Sequence, residues 1–440
     1  MDRLARCIGL LSGHRNELCK AMSDDYGVRS ADASLLTDIV FSIAPLRHAR
    51  AHLRDWMKPQ KRDVELPLAI LGAKAEVRFE PKGVVGLLSP WNFPVYLVFA
   101  PLAGVLAAGN AAIIKPSEKT PATSDLLEKL IRLNFDEEEL AVVLGGRALG
   151  EAFARLPFDH LVFTGSAATG RSVMQAAAEN LTPVTLELGG KCPAIIGRSA
   201  DLPVAAMRIM AGKTLNAGQT CLAPDYVLAP RDRVDAFAAE ARKAVATLFP
   251  KLRENPDYCA IIDRAHYDRL RGLMAEAGDK LVPLNPIGED LDEARRKLAP
   301  ALILDPPEDG AVMREEIFGP LLAVKPYDSI DEAIAFVENR PTPLGLYYFG
   351  EDEAEAEQVL ARTRSGGVTL NDVIFHIAQE DLPFGGRGAS GMGRYQGREG
   401  FLEFSHQRGV YRQIRSELVA RLRPPYGDRF RDMMKDRLKD

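Results

Sequence analysis

The feature that most constrains the fold is a regular alternation of short apolar runs with longer helical patterns, which starts at Gly83. The apolar runs predict buried strands, and the segments between them carry helix start signals. Because strands that alternate with helices form parallel sheets covered on both faces, the pattern predicts an α/β fold with a doubly wound sheet. The strands are expected at 84–88, 111–115, 140–144, 160–164, 184–187 and 194–196, and the helices between them begin at Pro101, Thr120, Gly146 and Gly170.

A second α/β series follows the first, and an N-terminal region precedes both. Residues 1–60 predict charged amphipathic helices punctuated by proline, for example at Pro45. Residues 64–79 predict two short strands arranged as a hairpin. In the second series, strands are expected at 226–229, 301–304, 321–326 and 344–349, and helices at 231–248 and 330–340.

The charge balance and the cysteines exclude several classes of protein. The chain has 440 residues, with 56 Lys and Arg against 61 Asp and Glu, and a net charge of -5. No basic excess is present to neutralise phosphates, so we expect neither a nucleic-acid nor a membrane partner. The five cysteines form no CxxC pair and no Cys/His cluster, which indicates free thiols and no metal site. Because the N-terminus lacks a signal-peptide pattern, we expect a cytoplasmic protein.

One uncharged segment is long enough to cross a bilayer. Residues 93–114 carry no charged side chain, but prolines and glycines interrupt them. A helix buried between the layers of a large α/β protein explains this pattern better than a membrane span.

Two residues have the chemistry of a covalent catalyst, although each also has a simpler interpretation. Cys221 follows the flexible turn Asn-Ala-Gly-Gln-Thr, which can present its sulfur at a crevice near backbone N–H groups. A lone cysteine is more often a small buried hydrophobe. Glu187 ends an apolar strand before a glycine pair, where burial raises a carboxyl pKa toward the range of a general base. Its alternative is a strand-end carboxylate paired with Lys191.

Three further segments follow predicted strands. In Pro-Trp-Asn-Phe-Pro at 90–94, two prolines fix a turn and aim the Asn92 amide into a pocket, unless that amide satisfies local backbone groups. Phe-Thr-Gly-Ser at 163–166, with Gly170 opening the next helix, has the strand–turn–helix order that receives a pyrophosphate. The segment 115–118 offers a cation and a carboxylate suited to ribose hydroxyls.

Taken together, these segments resemble the aldehyde dehydrogenase superfamily over residues 5–415. The short N-terminus and the segment 388–393 are similar to those of the class 3 branch. Within that branch, 371–380 and 343–350 most resemble the bacterial coniferyl aldehyde dehydrogenases. The motifs that match in order and approximate spacing are 90–94, 115–118, 163–166, 187–191, 218–221, 316–320 and 383–386.

The resemblance implies covalent catalysis with a nicotinamide cofactor. Cys221 would be the nucleophile and Glu187 the general base, while Asn92 and the backbone N–H of Cys221 would form an oxyanion hole. The cofactor would be NAD, with NADP as a second candidate, since the charge of Glu118 lies where a 2′-phosphate would sit. The residues implied to bind the cofactor are Trp91, Lys115, Glu118, Gly165, Ser166, Gly170, Glu316 and Phe318.

The resemblance also implies a domain organisation and a substrate class. Residues 1–62 and 80–188 would form an NAD-binding domain, and 189–390 a catalytic domain. Residues 63–79 and 391–440 would form an arm that joins a homodimer or a higher homo-oligomer, since exposed hairpin edges invite pairing. The substrate would be a coniferyl-type aromatic aldehyde or a medium-to-long aliphatic aldehyde.

Two alternative functions are an enzyme that passes the acyl group to coenzyme A and a non-catalytic structural or binding relative. Glu187 argues against the first, because a base that activates water wastes the thioester. The presence of Cys221, Glu187 and Asn92 together argues against the second. Two residues depart from the family pattern. We expect Cys192 to be a packing residue, and we expect Arg387 to favour a carboxylate-bearing aldehyde if its loop lines the substrate entrance.

Overall fold

The computed structural model describes residues 1–66, 68–289, 293–415 and 422–438. The chain divides into two compact units. Unit 1 comprises Met1–Trp56 and Pro81–Ser405, and unit 2 comprises Met57–Glu80 and His406–Asp440.

The secondary-structure elements are numbered here in chain order. The strands are β1 (Gln60–Arg62), β2 (Lys74–Pro81), β3 (Val84–Leu88), β4 (Ala111–Lys115), β5 (Leu140–Val142), β6 (His160–Gly165), β7 (Val184–Leu188), β8 (Cys192–Ile196), β9 (Pro224–Pro230), β10 (Leu281–Pro283), β11 (Ala301–Leu304), β12 (Leu321–Tyr327), β13 (Gly345–Phe349), β14 (Gly367–Leu370), β15 (Gly391–Met392) and β16 (Ser405–Arg412). The α-helices are α1 (Asp2–Gly13), α2 (Arg15–Tyr26), α3 (Ala31–Ser34), α4 (Phe41–Trp56), α5 (Tyr96–Ala107), α6 (Pro121–Asn134), α7 (Arg147–Phe153), α8 (Ala167–Ala178), α9 (Leu202–Thr214), α10 (Val234–Leu248), α11 (Arg264–Ala277), α12 (Ala311–Arg314), α13 (Ile330–Glu338), α14 (Glu353–Arg362), α15 (Gly397–Glu403) and α16 (Asp428–Arg437). Shorter helical segments are a π-helical one at Leu35–Val40 and 3₁₀ turns at Leu215–Gly218, Arg231–Arg233, Gly278–Lys280 and Phe375–Ala378.

The first sheet of unit 1 has the strand order β15-β7-β6-β3-β4-β5. Its strands pair in parallel except for β15, which runs antiparallel to β7. The chain adds β4 and β5 on one side of β3 and then β6 and β7 on the other side. Strands β3 and β6 therefore flank a topological switch point, and ligands of open α/β sheets bind in the crevice at the carboxyl ends of such strands.

The second sheet of unit 1 has the strand order β10-β11-β12-β9-β8-β13-β14. Only β10 pairs antiparallel with its neighbour; the other pairs given by the described residues are parallel. Strand β7 ends at Leu188 and β8 begins at Cys192, so only three residues carry the chain from one sheet to the other. The carboxyl edge of the first sheet therefore lies beside the amino edge of the second. These two parallel sheets confirm the predicted α/β fold class.

Helix α5 is the buried helix expected for the uncharged segment. Every one of its residues is buried, and it packs against α4 and α15. Gly104 permits this packing, because a Cβ on it would lie 3.0 Å from the backbone of Gly400. Across the described residues, no helix combines the length and the apolar character that a membrane span requires.

Two predicted helix starts, at Pro101 and at Gly170, were wrong. Helix α5 begins at Tyr96 and contains Pro101, and α4 likewise continues through Pro45. A proline removes one backbone hydrogen bond from a helix, but the burial of the surrounding apolar side chains stabilises both helices. The start of α8 was also predicted too late. Ser166 caps this helix by accepting a hydrogen bond from Thr169 N, so Gly170 lies inside the helix and does not open it.

Unit 2 contains a three-stranded sheet with the order β1-β2-β16. Strands β1 and β2 pair antiparallel, with Gln60 opposite Val77 and Arg62 opposite Ala75. The predicted strand between residue 64 and Leu71-Gly72 was wrong, because the described residues of 63–73 form turns and irregular segments. The second predicted strand corresponds to β2, which pairs instead with a strand that lies before residue 64. The sequence Gln-Lys-Arg of β1 has no apolar pattern that would predict a strand. It is a strand only because its backbone pairs with β2.

Candidate active site

A cavity of about 340 Å³ lies at the junction of the two sheets of unit 1. It contains most of the residues that the sequence singled out. Its lining comprises Pro90, Trp91, Asn92, Leu97, Thr164, Gly165, Ser166, Glu187, Leu188, Gly189, Cys221, His266, Arg269, Glu315, Glu316 and Phe318.

Cys221 is held at the cavity by a loop with unusual backbone geometry. Asn216, Ala217 and Gly218 all have positive φ angles, of 50°, 51° and 75°. A Cβ on Gly218 would lie 2.2 Å from the carbonyl oxygen of Gly319, so only glycine fits there. This loop turns the chain sharply between α9 and β9 and leaves the Cys221 side chain partly exposed at the cavity.

The side chain of Gln219 holds this loop in place through three hydrogen bonds. Its Nε2 donates to the carbonyl oxygens of Asn216 at 2.9 Å and Ala260 at 3.0 Å, and its Oε1 accepts from Ile262 N at 2.9 Å. Gln219 is fully buried. Because every polar atom of the amide group is used, the loop before Cys221 is held in a single arrangement.

Glu187 on β7 is the nearest carboxylate to the cysteine. The Cys221 thiol donates to Glu187 Oε1 over 3.4 Å, and the hydroxyl of Tyr395 donates to Glu187 Oε2 over 3.0 Å. Glu187 is only 2% exposed, and this burial raises the pKa of its carboxyl above the usual value. Burial and then the nearby Glu187 charge raise the pKa of the Cys221 thiol well above its usual value. The thiol of Cys221 is therefore hydrogen-bonded to a carboxyl group whose basicity is increased by burial.

The simpler interpretation of Glu187 does not fit this geometry. Lys191, its expected ion-pair partner, donates instead to the carbonyl oxygen of Glu315 at 2.9 Å and lies 3.6 Å from Asp225 Oδ1. The carboxylate of Glu187 thus points toward Cys221 and is not neutralised by a lysine.

Asn92 follows β3, in the turn between two prolines. Its side chain is 3% exposed, and its Nδ2 donates to the carbonyl oxygen of Gln219 over 3.3 Å. An amide Nδ2 carries two N–H groups, and the contact with Gln219 accounts for one of them. The second N–H is a donor that an oxygen bound beside Cys221 could use.

Two flat aromatic rings and a helix N-terminus form the opposite part of the cavity. Trp91 packs edge-on against Phe318 with ring centroids 5.4 Å apart, and against His266 at 5.1 Å. Gly165 and Ser166 lead from β6 into α8, whose N-terminal N–H groups favour anions. Gly170 lies behind this turn, where a Cβ would be 2.7 Å from a methyl of Leu188.

Glu316 presents an unusual carboxylate to the cavity. It lies next to Gly189, where a Cβ would come within 2.0 Å of Glu316 Oε2. Its Oε1 is buried and has no hydrogen-bond partner among the described residues. Burial, followed by repulsion from Asp225, raises the pKa of Glu316 to about 8. An unpartnered acceptor of this kind fits the hydroxyl of a bound ligand.

Lys115 and Glu118 lie beside the cavity, outside its lining. Lys115 ends β4, opposite Leu88 at the end of β3, and its Nζ contacts Glu118 Oε2 at 2.6 Å. Partial burial opposes the change, but the hydrogen bond from Lys115 lowers the pKa of Glu118 below its usual value. The two side chains form an ion pair at the carboxyl edge of the first sheet.

Two side chains close to the cavity lining, Tyr395 and Lys213, carry no signal in the sequence. Tyr395 reaches Glu187 because β15 pairs with β7 in the register Gly391 opposite Glu187. Lys213 on α9 is fully buried, and its ammonium has no hydrogen-bond partner in the described part of the chain. Burial lowers the pKa of Lys213 to about 8. Only the fold brings these side chains to the site, so motif spacing could not find them.

Cys192 packs directly beneath the cysteine loop. Its thiol donates to the carbonyl oxygen of Cys221 at 3.4 Å and accepts from Gly345 N at 3.3 Å. It is fully buried, and burial raises the pKa of its thiol.

Among the described residues, no group of three or more His, Cys, Asp or Glu side chains is arranged to hold a metal ion.

Comparison with known proteins gives consistent matches along the whole chain. The model of the aldehyde dehydrogenase family matches residues 1–410. A probable coniferyl aldehyde dehydrogenase of Caulobacter vibrioides is 56% identical, over 99% of this chain and 91% of that protein. A coniferyl aldehyde dehydrogenase of a Pseudomonas species is 49% identical, over 97% and 89%. Mouse aldehyde dehydrogenase family 3 member A2 is 44% identical, over 80% and 72%.

Solved structures give the same assignment. The substrate-bound state of Staphylococcus aureus AldH superposes with a TM-score of 0.93 at 38% identity, covering 100% of this chain and 94% of that one. A Mycobacterium tuberculosis aldehyde dehydrogenase complexed with NAD⁺ has a TM-score of 0.83 at 29% identity, covering 94% and 85%. These matches confirm the resemblance read from the sequence. The chain belongs to the aldehyde dehydrogenase family, whose members are oxidoreductases that act on aldehydes with NAD(P).

Proposed function

We propose that this protein oxidises an aldehyde to the carboxylic acid through covalent intermediates on Cys221, with NAD as the preferred cofactor. The observation that carries the proposal is the 3.4 Å contact between Cys221 Sγ and Glu187 Oε1 in a cavity that Asn92 also lines. A nucleophile, a base and an oxyanion donor are the three groups that acyl chemistry at a carbonyl requires.

In the first step, Glu187 accepts the thiol proton of Cys221, and the thiolate adds to the aldehyde carbon. The carbonyl oxygen becomes an oxyanion in a thiohemiacetal. The Asn92 Nδ2 and the backbone N–H of Cys221 stabilise this oxyanion as donors that are already in place. Because the site is buried, these hydrogen bonds act in a medium of low dielectric constant.

The residues on the far side of the cavity fit a nicotinamide cofactor. We propose that Gly165 and Ser166, with Gly170 behind them, receive its phosphates, and that Lys115 and Glu118 bind its adenosine ribose. Trp91 and Phe318 supply apolar ring surface, and the unpartnered Glu316 Oε1 accepts from a ribose hydroxyl. When bound, the cofactor supplies the hydride acceptor.

Before the last step, Glu187 releases the thiol proton to solvent. It then accepts a proton from a water molecule, whose oxygen adds to the thioester on Cys221 and releases the carboxylic acid and the free thiol. The same carboxylate argues against transfer to coenzyme A, because a basic group 3.4 Å from the Cys221 sulfur favours loss of a thioester to water. We therefore propose a non-acylating enzyme.

For the substrate, we propose a coniferyl-type aromatic aldehyde. The two relatives at 56% and 49% identity, one of them as a probable assignment, carry the name coniferyl aldehyde dehydrogenase. We test this by comparing kcat/KM for coniferyl aldehyde, benzaldehyde and a series of aliphatic aldehydes. The conjugated aromatic aldehyde should give the highest value, and a ten-fold preference for an aliphatic aldehyde would exclude the proposal.

We also propose that the protein is a cytoplasmic homodimer or higher homo-oligomer. The sheet of unit 2 has two edge strands, β1 and β16. Exposed strand edges are available for pairing with a second chain. Light scattering after size-exclusion chromatography should show at least twice the mass of one chain.

Replacement of the nucleophile tests the function itself. Cys221→Ala should abolish NADH formation while NAD binding is retained, because only the covalent step is lost. The matched control is Cys7→Ala, which removes a different free thiol, buried in α1, and should keep most of the activity. Normal NADH formation by Cys221→Ala would rule out the covalent mechanism.

A further inference from the structure

Three hydrogen-bond donors converge on the backbone carbonyl oxygen of Asn92. The Tyr26 hydroxyl donates over 3.1 Å, Arg29 Nη1 over 2.9 Å and Asn216 Nδ2 over 3.0 Å. All three bonds are buried. A carbonyl oxygen has two lone pairs. Three donors, one of them the charged guanidinium of Arg29, therefore use its whole capacity as an acceptor and restrict rotation of the peptide between Asn92 and Phe93.

Two of these donors come from the N-terminal region, far from the site in sequence: Tyr26 ends α2, and Arg29 lies between α2 and α3. Arg29 is itself fixed by Asp38, whose Oδ2 accepts from Arg29 Nη2 over 2.6 Å. Asp38 Oδ1 accepts from the backbone N–H groups of Val95 and Tyr96, at the start of α5. The N-terminal region therefore holds the turn at Asn92 from its carbonyl and also from its downstream end.

The third donor ties the same carbonyl to the cysteine loop. Asn216 Nδ2 also lies 3.3 Å from the carbonyl oxygen of Gln219, which in turn accepts from Asn92 Nδ2 over 3.3 Å. The Asn92 amide, its own peptide carbonyl and the loop before Cys221 are thus parts of one hydrogen-bond network. Any rotation of the peptide between Asn92 and Phe93 would move the side-chain amide of Asn92 relative to Cys221 Sγ.

We propose that Tyr26 and Arg29 are positioning residues for aldehyde oxidation, which act by fixing the direction of the Asn92 amide toward the oxygen of the thiohemiacetal. This inference rests on the proposed role of Asn92 as an oxyanion donor. Neither residue lines the cavity, so both act through the turn that carries Asn92. The Tyr26 hydroxyl also lies 3.2 Å from the carbonyl oxygen of Trp91 in the same turn. Oxyanion stabilisation depends steeply on donor geometry, and small displacements reduce the rate.

The first experiment uses Tyr26→Phe, which keeps the ring and removes only the hydroxyl. Rapid mixing with aldehyde and NAD should show a hydride-transfer rate lowered about 3- to 10-fold, the factor expected from loss of one buried hydrogen bond, with the KM for NAD unchanged. Tyr327→Phe is the matched control, since the buried Tyr327 hydroxyl also donates to a backbone carbonyl, that of Ile196, at 2.7 Å. It should keep the wild-type rate.

A double-mutant cycle distinguishes positioning from general stabilisation of the fold. In an Asn92→Ala background, Tyr26→Phe should cause no further loss of rate, because the group it positions is absent. Arg29→Lys is the second variant; it keeps a cation opposite Asp38 but loses the guanidinium geometry, and its effect should vanish in the same background.

The outcomes separate this inference from the proposed function. If Asn92→Ala alone leaves hydride transfer unchanged, Asn92 is not an oxyanion donor, and the positioning role of Tyr26 and Arg29 falls with it; the covalent function falls only if Cys221→Ala keeps normal NADH formation. If Asn92→Ala is strongly impaired while Tyr26→Phe and Arg29→Lys keep the wild-type rate, or lower it equally in both backgrounds, the positioning role alone is overturned.

Discussion

Glu187→Gln removes the base that we propose for thiol deprotonation and for water activation. The substitution replaces one carboxylate oxygen by an amide nitrogen and removes the basicity, while the shape of the side chain is retained. In the native site Glu187 Oε1 accepts from Cys221 and Oε2 accepts from Tyr395. The hydroxyl of Tyr395 can either donate or accept, so the glutamine amide can keep this contact in either orientation. We therefore expect the fold to survive and the loss to fall on the chemistry.

The size of the effect follows from the role of the group. A positioned general base contributes roughly 10²- to 10⁴-fold to a proton-transfer step. Deacylation should slow by this factor, so rapid mixing should show a burst of about one equivalent of NADH per active site, followed by slow turnover. Mass spectrometry of the quenched protein should find the acyl group on Cys221.

The pH dependence shows at which steps Glu187 acts. The base works when deprotonated, and burial raises its pKa, so wild-type turnover should rise as pH increases through that raised value. In Glu187→Gln this limb should disappear. Because the thiol of Cys221 donates to Glu187 at 3.4 Å, we also expect the burst of the variant to slow at neutral pH and to recover toward the high pKa of the thiol.

A surface carboxylate provides the control. Glu355 accepts a hydrogen bond from the hydroxyl of Tyr348 at 2.7 Å, as Glu187 does from Tyr395, but it lies outside the cavity lining. Glu355→Gln should keep wild-type turnover. The reasoning would be refuted by unchanged steady-state turnover in Glu187→Gln, or by a requirement for coenzyme A as the acyl acceptor in the wild type.

Three further predictions concern the preference for NAD over NADP, the packing of the cysteine loop and the role of Glu316 in NAD binding. Glu118→Ser should narrow the preference for NAD over NADP roughly ten-fold, because like-charge repulsion is removed; a higher kcat/KM with NADP in the wild type would contradict this. Gly218→Ala should lower the free energy of unfolding by more than about 2 kcal/mol, since its Cβ would overlap a backbone oxygen at 2.2 Å; the control is Gly272→Ala, where nothing lies within 4 Å, and equal melting temperatures for the two variants would sink the argument. Glu316→Gln should raise the KM for NAD more than it affects Cys221 alkylation, and titration of NAD by fluorescence quenching checks it.

The sequence by itself determined the alternating architecture and the chemistry-bearing residues. The apolar runs that become β3, β4, β6, β9 and β12 were predicted within a few residues, because a strand buried on both faces needs a continuous apolar segment. The glycine and proline turns marked the strand ends where Asn92 and Gly165 lie, and a glycine turn marked the loop before Cys221. These signals are local, so they are visible without knowledge of the fold.

Boundaries and polar strands were less visible. Proline misled the prediction at Pro101, since first-turn preference is a local rule, whereas burial along α5 depends on its neighbours α4 and α15. Strand β1 has a polar sequence, and only its pairing with β2 makes it a strand. Such elements are stabilised by partners that lie elsewhere in the chain.

Only the tertiary structure decided how the site is held together. The contact of Tyr395 with Glu187 joins residues 208 positions apart, and the bonds of Tyr26 and Arg29 to the Asn92 carbonyl span 66 and 63 positions. No periodicity links such residues, because a hydrogen bond depends on distance in space and not on separation along the chain. The nucleophile and the base can be read from the sequence. The hydrogen bonds that hold Asn92 and Glu187 in place form only once the N-terminal region and β15 have packed against the two sheets.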